Sequence, residues 1–261
     1  MSDWIGGLVQ ESQDQYRMAW ELIARSRKDG VVEKAGNLSF SIAGIPFPMF
    51  NVAFPDRPPQ SIEELLQLKD QALRKFSEHQ VEGMLTLPSS WIPRGGIAAL
   101  EDAGMKQDFK VMGMRTARLN DLVRPVPEIR HVHGDEATEL IARVNAAAYG
   151  IPKELESVIR LPGVWQGDVR AYAVFENQDP VAVGASVIQN GICYIMWMAT
   201  VEKARGKGYA QAIVCRAWND AREKDLARMT VLHATQMGRP VYHKLGYTAI
   251  AEFPGFISTA G

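Results

Sequence analysis

Apolar residues recur at helical spacing between positions 10 and 27, at Tyr16, Ala19, Trp20 and Ile23, and predict an amphipathic helix. Two alternating stretches follow, GNLSFSIA and PMFNVAFP, and predict half-buried strands. SIEELLQLKDQALRKFSEH opens with Ser61 and Glu64 at capping-box spacing, then runs on as a second amphipathic helix. EGMLTLP reads as a strand, GGIAALEDAG as a short helix stopped by Gly104, and DFKVMGMRTARL as another strand.

The pattern lapses over residues 120–136, where two prolines and mixed charge predict a linker. Beyond it, Asp135 is placed to cap a helix over 136–148, and Pro152 to start a second, PKELESVIR. Three apolar runs come next: VRAYAVF, VAVGASVI and ICYIMWMAT. The polar turn ENQDP separates the first two, and a turn holding Asn190 and Gly191 separates the last two, so three antiparallel strands stand in a row. A helix over 208–223, the strand RMTVLHA, a short helix between Pro240 and Gly246, and the strand YTAIAEF complete the order α-α-β-β-β-α-β-α-β. The class expected is α/β (α+β), with a mixed, mostly antiparallel sheet and flanking helices. The composition break divides it into domains 1–122 and 123–261.

Composition narrows the function classes. At 261 residues, 46% of them hydrophobic, the chain can bury one large core or two small ones. A net charge of −1 gives no bulk attraction to nucleic acid or to a membrane surface. MSDWIGGLVQ lacks a basic leader region, and the longest apolar stretch, near Ile192 to Val201, is about half the roughly 20 residues needed to span a bilayer. A cytoplasmic protein with neither nucleic-acid nor membrane partner is the expectation. Cys193 and Cys215 read as reduced, buried thiols. No CxxC or His-Cys cluster suggests a metal, and His131 and His133, two apart without a third ligand, read as surface histidines.

The candidate chemistry lies in VEKARGKGYAQAIV, residues 201–214. Gly206 and Gly208 let the chain curl between a strand and a helix, and the helix start offers free N–H groups at the positive end of its dipole. Such a ring of amides suits a phosphate, and Arg205 and Lys207 add charge. An ordinary strand-to-helix turn would use the same glycines. A dinucleotide-binding fingerprint fails at Gln211, and the next strand ends VLHAT without the acidic residue such a site needs. No GxxxxGK[ST] occurs, which excludes a P-loop.

Arg205-x-x-Gly208-x-Ala210 resembles the [Q/R]-x-x-G-x-[G/A] signature of the GCN5-related N-acetyltransferases, and GRPVYHKLGY, 238–247, resembles their second signature. The likeness covers roughly 130–255 in element order and 196–247 in motifs. It implies an acetyl-CoA-dependent N-acetyltransferase in which a bound primary amine attacks the thioester directly. The acceptor would be a small molecule or a peptide, no metal would be needed, and the protein would be a monomer or homodimer. The amides of Gly206, Lys207, Gly208, Tyr209, Ala210 and Gln211 would hold the diphosphate, with Arg205 at the loop start. Met198, Ala199 and Thr200 would lie against the pantetheine arm, as a ligand strand added to a sheet edge, and an amide there would polarise the thioester carbonyl. Two positions depart from the family pattern: Glu202 stands where proline is usual, and Thr235 where an asparagine often contacts the arm.

The same resemblance makes Tyr242 the proton donor to the departing thiolate. Tyrosine titrates near 10 and a cysteine-like thiol near 8.5. Full transfer is therefore uphill by roughly 2 kcal/mol, and a hydrogen bond that strengthens as charge develops is the better description. For the base, Glu154, Glu156, His233 and a water chain stand open. Glu154 and Glu156 also suit a solvated helix face, and His233 a satisfied strand end. Trp165, Trp197 and Tyr149 are candidates to line an acceptor pocket or to pack in a core.

The first half echoes the second. EGMLTLP then IAALEDAGMKQDFKVMGM parallels RMTVLHA then PVYHKLGYTAIAEF, and matching Gly104 to Gly246 places Leu100 where Tyr242 stands. No RxxGxG occurs before residue 200. This resembles tandem members of the family with one decayed copy, so residues 1–122 read as a degenerate, non-catalytic domain that covers part of the active one. An unrelated α+β domain is the alternative. Two other functions stay open: an acetyl-CoA sensor or scaffold without turnover, and a nucleotide-dependent oxidoreductase.

Overall fold

The computed structural model describes residues 2–122, 128–166, 169–224 and 226–259. By internal contacts the chain forms two compact units, Met1–Gly113 with Ile250–Gly261, and Met114–Ala249. The composition break at 120–136 thus falls inside the second unit, and the end of the last strand counts with the first.

The first unit runs α1 (Ser2–Arg25), β1 (Val31–Ala35), β2 (Leu38–Ile42), β3 (Asn51–Pro55), α2 (Ile62–Glu78), β4 (Met84–Thr86), α3 (Gly96–Asp102) and the first part of β5 (Met105–Thr116). β1, β2 and β3 pair antiparallel, and β4 returns parallel to β3. α2 buries Leu65, Leu68, Ala72 and Phe76, one helical stripe, into a core shared with Phe40, Leu85 and Leu100. Each leucine or phenylalanine among them contributes about 1.5–3 kcal/mol when fully buried. Ser61 accepts a hydrogen bond from the Glu64 amide at 3.1 Å, and Glu64 Oε2 reaches back to the Gln60 amide at 2.7 Å.

The second unit continues with β6 (Ile129–Val132), α4 (Gly134–Tyr149), α5 (Lys153–Glu156), β7 (Arg170–Glu176), β8 (Asp179–Gln189), β9 (Ile192–Thr200), α6 (Tyr209–Glu223), β10 (Met229–Ala234), α7 (Arg239–Lys244) and β11 (Thr248–Ser258). β6 to β9 pair antiparallel in sequence, and β10 pairs parallel with β9. Asn190 and Gly191 both adopt positive φ, 52° and 73°, which tight β-hairpin turns require, and so do Asn177 and Gln178 in the ENQDP turn. From Ile250 onward β11 falls in the first unit, where it pairs antiparallel with β4. The succession β-β-β-α-β-α-β therefore occurs twice, with the same pairing senses through the first four strands.

Several elements differ from the sequence reading. α1 starts at Ser2 rather than near 10, because Gly6 and Gly7 dilute the periodicity without stopping the helix. β1 escapes notice because it is an outer strand carrying Glu33 and Lys34, which pair with Lys75 and Asp56. β6 lies within the stretch read as a linker, and it too is an outer strand with exposed charge; residues 123–127 of that stretch lie outside the described residues. Asp135 is not the cap of α4. His133 occupies that place and Asp135 sits in the first turn, where its charge favours the helix dipole. Among the described residues no helix is long and apolar enough to cross a membrane.

Gly83 precedes β4 under the Phe76 ring, and a Cβ added there would lie 2.5 Å from three ring atoms. Gly83→Ala is expected to cost about 1–3 kcal/mol, as overpacking does in a filled core. Urea unfolding followed by circular dichroism measures it, and an unchanged midpoint would contradict the packing described.

Candidate active site

β9 and β10 pair in parallel register from Ile192↔Met229 to Ile195↔Leu232, and there the pairing ends although both strands continue. On its other edge β9 stays paired with β8 but shifts register: Ala185 faces Met196, while Val183 faces Ala199. Gly184 therefore opposes both Trp197 and Met198, which is a β-bulge. Trp197 carries φ 55°, rare for a bulky side chain. Gly184 is required here, since a Cβ would come within 2.2 Å of the Met198 sulfur and 2.9 Å of Ile213.

Beyond the bulge, the Val201 amide donates to Val181 on β8 at 3.0 Å. Antiparallel alternation then turns the polar groups of Ala199 toward β8 and those of Met198 and Thr200 toward the edge that β10 has left. Side chains meet those carbonyls. Asn145 Nδ2 donates to Trp197 O at 3.4 Å, the Tyr149 hydroxyl to Met198 O at 3.1 Å, and Arg205 Nε to Thr200 O at 3.3 Å. The sequence marked Tyr149 only as a pocket-lining candidate and did not mark Asn145, because neither belongs to a local motif.

The loop after β9 enters α6 through Gly206 at φ 77° and Gly208 at φ 89°. Gly208 is the N-cap, and no side chain caps the helix. The amides of Tyr209, Ala210 and Gln211 form its first turn, the part of a helix without internal acceptors. The two loop cations point elsewhere. Arg205 Nη2 donates to Ala148 O at 2.9 Å, tying the loop to the end of α4. Lys207 Nζ binds both oxygens of Glu176 at 2.8 and 2.9 Å, and the Tyr209 hydroxyl shares that carboxylate at 2.6 Å. Lys207 holds Glu176 below the usual carboxylate range, and Glu176 raises Lys207 and Tyr209 in return.

Thr235 follows β10, and its Oγ1 accepts the Gly238 amide at 3.2 Å while its carbonyl accepts from Gly238 and Arg239. It thereby starts α7, which carries Tyr242. The Tyr242 ring is buried, edge-on to Tyr247 at 5.9 Å. Burial raises its phenol above the ordinary value, with Tyr149 adding to the shift, so Tyr242 stays protonated at neutral pH and can donate. Gly246, at φ 90°, closes the helix as its motif requires.

A sequence profile of the acetyltransferase (GNAT) domain matches residues 138–254. These residues are a GNAT domain. A GCN5-related N-acetyltransferase from Kribbella flavida superposes with a TM-score of 0.71 at 19% identity, covering 96% of this chain and 96% of that one. A functionally unknown conserved protein from Staphylococcus epidermidis gives 0.68 at 12% identity, over 88% and 94% of the two chains. A GCN5-related N-acetyltransferase from Sphaerobacter thermophilus gives 0.60 at 11%, over 85% and 76%. At such identities the likeness is one of fold, and in the first case it spans nearly the whole chain. No curated protein sequence matches.

Within the GNAT domain the base candidates separate. His233 shares a 2.9 Å hydrogen bond between its Nδ1 and the Tyr194 hydroxyl, and burial pushes its pKa down to about 3. An imidazole that resists protonation so strongly is a poor general base at neutral pH. Glu156 is ion-paired with Arg160 at 3.2 Å. The Glu154 side chain lies outside the described residues. Trp165 is buried against Trp197, ring centroids 6.4 Å apart, and supports the bulge. Cys193 and Cys215 are free thiols pushed up by burial to about 12 and about 11, so both stay protonated. His131 and His133 are exposed with ring centroids 4.0 Å apart, and among the described residues no group of three or more His, Cys, Asp or Glu is arranged to hold a metal.

The first unit differs at the corresponding turn. Between β3 and α2 the chain reads DRPPQS, without glycine. The helix start is filled by Ser61 Oγ and by the Glu64 carboxylate, which Arg57 holds at 2.8 Å and the Gln60 amide keeps below the usual carboxylate range. An anion of the chain's own thus sits where a phosphate would need to bind.

The His233 environment fixes a pH effect. As pH falls below the ordinary value of 6.5, the unfolded chain takes up a proton that the native imidazole refuses until about pH 3. Its contribution is complete above pH 6.5 and is lost on acidification, at up to about 1.4 kcal/mol per pH unit. His233→Gln removes this dependence. Urea unfolding at pH 7 and pH 5 should show the wild type losing more stability than the variant, and parallel losses would refute the assignment.

Proposed function

We propose that the GNAT domain transfers an acetyl group from acetyl-CoA to a primary amine of a small molecule or peptide by direct attack. The observation that carries this reading is the join of an opened β9 edge to an uncapped helix start with two left-handed glycines. A diphosphate needs concentrated N–H donors, and the amides from Gly206 to Gln211 supply them at the positive end of α6. An arm that pairs like a strand needs backbone that no neighbouring strand takes up, and Met198 and Thr200 turn theirs to the edge that β10 has left. The coenzyme supplies an activated acyl group.

The chain's own residues supply position and protons. Amides at the bulge orient the thioester carbonyl, in the manner of a preorganised oxyanion site. Tyr242 holds its proton firmly and acts as a hydrogen-bond donor to the leaving sulfur rather than as a full acid. Arg205 braces the loop through Thr200 and Ala148, and Lys207 does so through Glu176. His233 is locked neutral and Glu156 is ion-paired, so the amine's proton passes to water or to Glu154.

Calorimetry should give one coenzyme A per chain, since the first unit's turn is occupied internally. Thiol release from acetyl-CoA should depend on added amine, and Tyr242→Phe should lower turnover at least about tenfold while leaving coenzyme affinity within about twofold. Binding without amine-dependent release would make the domain a coenzyme sensor, and absence of binding would end the reading.

A further inference from the structure

We propose that Tyr149 is a displaceable latch on the open edge of β9, holding the Met198 carbonyl in the free protein and competing with the coenzyme arm for it. The inference rests on the coenzyme reading of this edge.

Three carbonyls near the bulge are held by three side chains of different character. Asn145 is buried, and its amide nitrogen also donates to Ile141 O at 2.9 Å, so it is fixed within α4. Arg205 is charged and bridges two carbonyls, Thr200 O and Ala148 O. Tyr149 brings a neutral hydroxyl to Met198 O from a side chain that is 49% exposed. It is the last residue of α4, and Gly150 follows at φ 67°. The ring can therefore swing into solvent without disturbing a helical turn beyond it. A neutral hydrogen bond from a half-exposed side chain is the easiest of the three to exchange for another.

The first unit supplies an internal comparison. Two residues past the last parallel pair of β3 with β4 stands Pro55; two past the last parallel pair of β9 with β10 stands Trp197. Both carbonyls accept from a buried amide side chain on a helix: Gln13 Nε2 to Pro55 O at 3.0 Å, and Asn145 Nδ2 to Trp197 O at 3.4 Å. One helical turn after each amide the units part. After Gln13 comes Arg17, bound to Asp14 at 3.0 Å, to Glu21 at 3.5 Å and to Ser39 Oγ at 3.2 Å, with Asp56 at 3.9 Å. After Asn145 comes Tyr149. The anchoring amide recurs, but a fixed ionic cluster in one unit is replaced by a removable hydroxyl in the other, on the strand whose edge is open.

A latch of this kind lowers coenzyme affinity by the strength of the bond it must give up. Tyr149→Phe keeps the ring and removes the competitor, so coenzyme A should bind about three- to tenfold more tightly by calorimetry. Tyr149→Leu should shift affinity in the same direction. In wild-type protein labelled with 13Cζ-tyrosine, the Tyr149 resonance, assigned by its loss in Tyr149→Phe, should move when coenzyme A is added. Equal or weaker binding by both variants, or a resonance that stays put at saturation, overturns the latch and leaves the coenzyme reading standing. Coenzyme binding by the variants but not by wild type supports both. If none of the three proteins binds coenzyme A, the coenzyme reading fails and the latch falls with it.

Discussion

A β-strand can satisfy its backbone on two edges only while it keeps register with both neighbours. β9 gives this up at Ile195, where pairing with β10 ends while pairing with β8 continues through a bulge. Carbonyl groups are left that need partners, because unpaired backbone away from water is costly. Much of the local architecture of the second unit answers that need. Asn145 and Tyr149 reach across from α4, and Arg205 turns back from the loop, each toward a β9 carbonyl. A ligand able to offer amides to the same edge would meet a surface already shaped for hydrogen bonding.

The bulge has a cost of its own. A tryptophan at positive φ is strained by about 1–3 kcal/mol, and such strain persists only when the surroundings over-determine it. Here Trp165 packs edge-on against the Trp197 ring, Asn145 holds its carbonyl, and Gly184 leaves room for the Met198 sulfur. Gly184 is therefore the seat of the bulge, although in VAVGASVI it looks like one weak position in a strand.

Much of the fold was legible because its signals are local. Asn190-Gly191 sets a tight turn by backbone preference alone, Ser61 and Glu64 mark a helix start, and Gly246 ends a helix, wherever the rest of the chain lies. The glycine loop and the Tyr242 helix were legible for the same reason. The outer strands β1 and β6 were not, since an outer strand carries charge on purpose and loses the alternation that reveals a buried one. The bulge left no trace in the pattern. The partners Asn145 and Tyr149 lie about 50 residues from the carbonyls they hold, a separation no spacing rule spans. The neutrality of His233 depends on packing around it and was equally out of reach.

The two units show how one topology can carry two differently finished helix starts. In both, a helix follows the third strand of an antiparallel meander and leads to a parallel fourth. In the first, a carboxylate and a serine hydroxyl occupy the helix start, and Arg17 sits in an ionic cluster beside Pro55. In the second, glycine takes the cap position and a phenol the place of Arg17. The electrostatics at the two helix starts are the same, a dipole seeking an anion. They differ in whether the chain provides that anion itself. A turn that caps itself stabilises its own unit and uses up its first amides, whereas one left to glycine gives up only roughly a few tenths of a kcal/mol and leaves its amides without a side-chain partner.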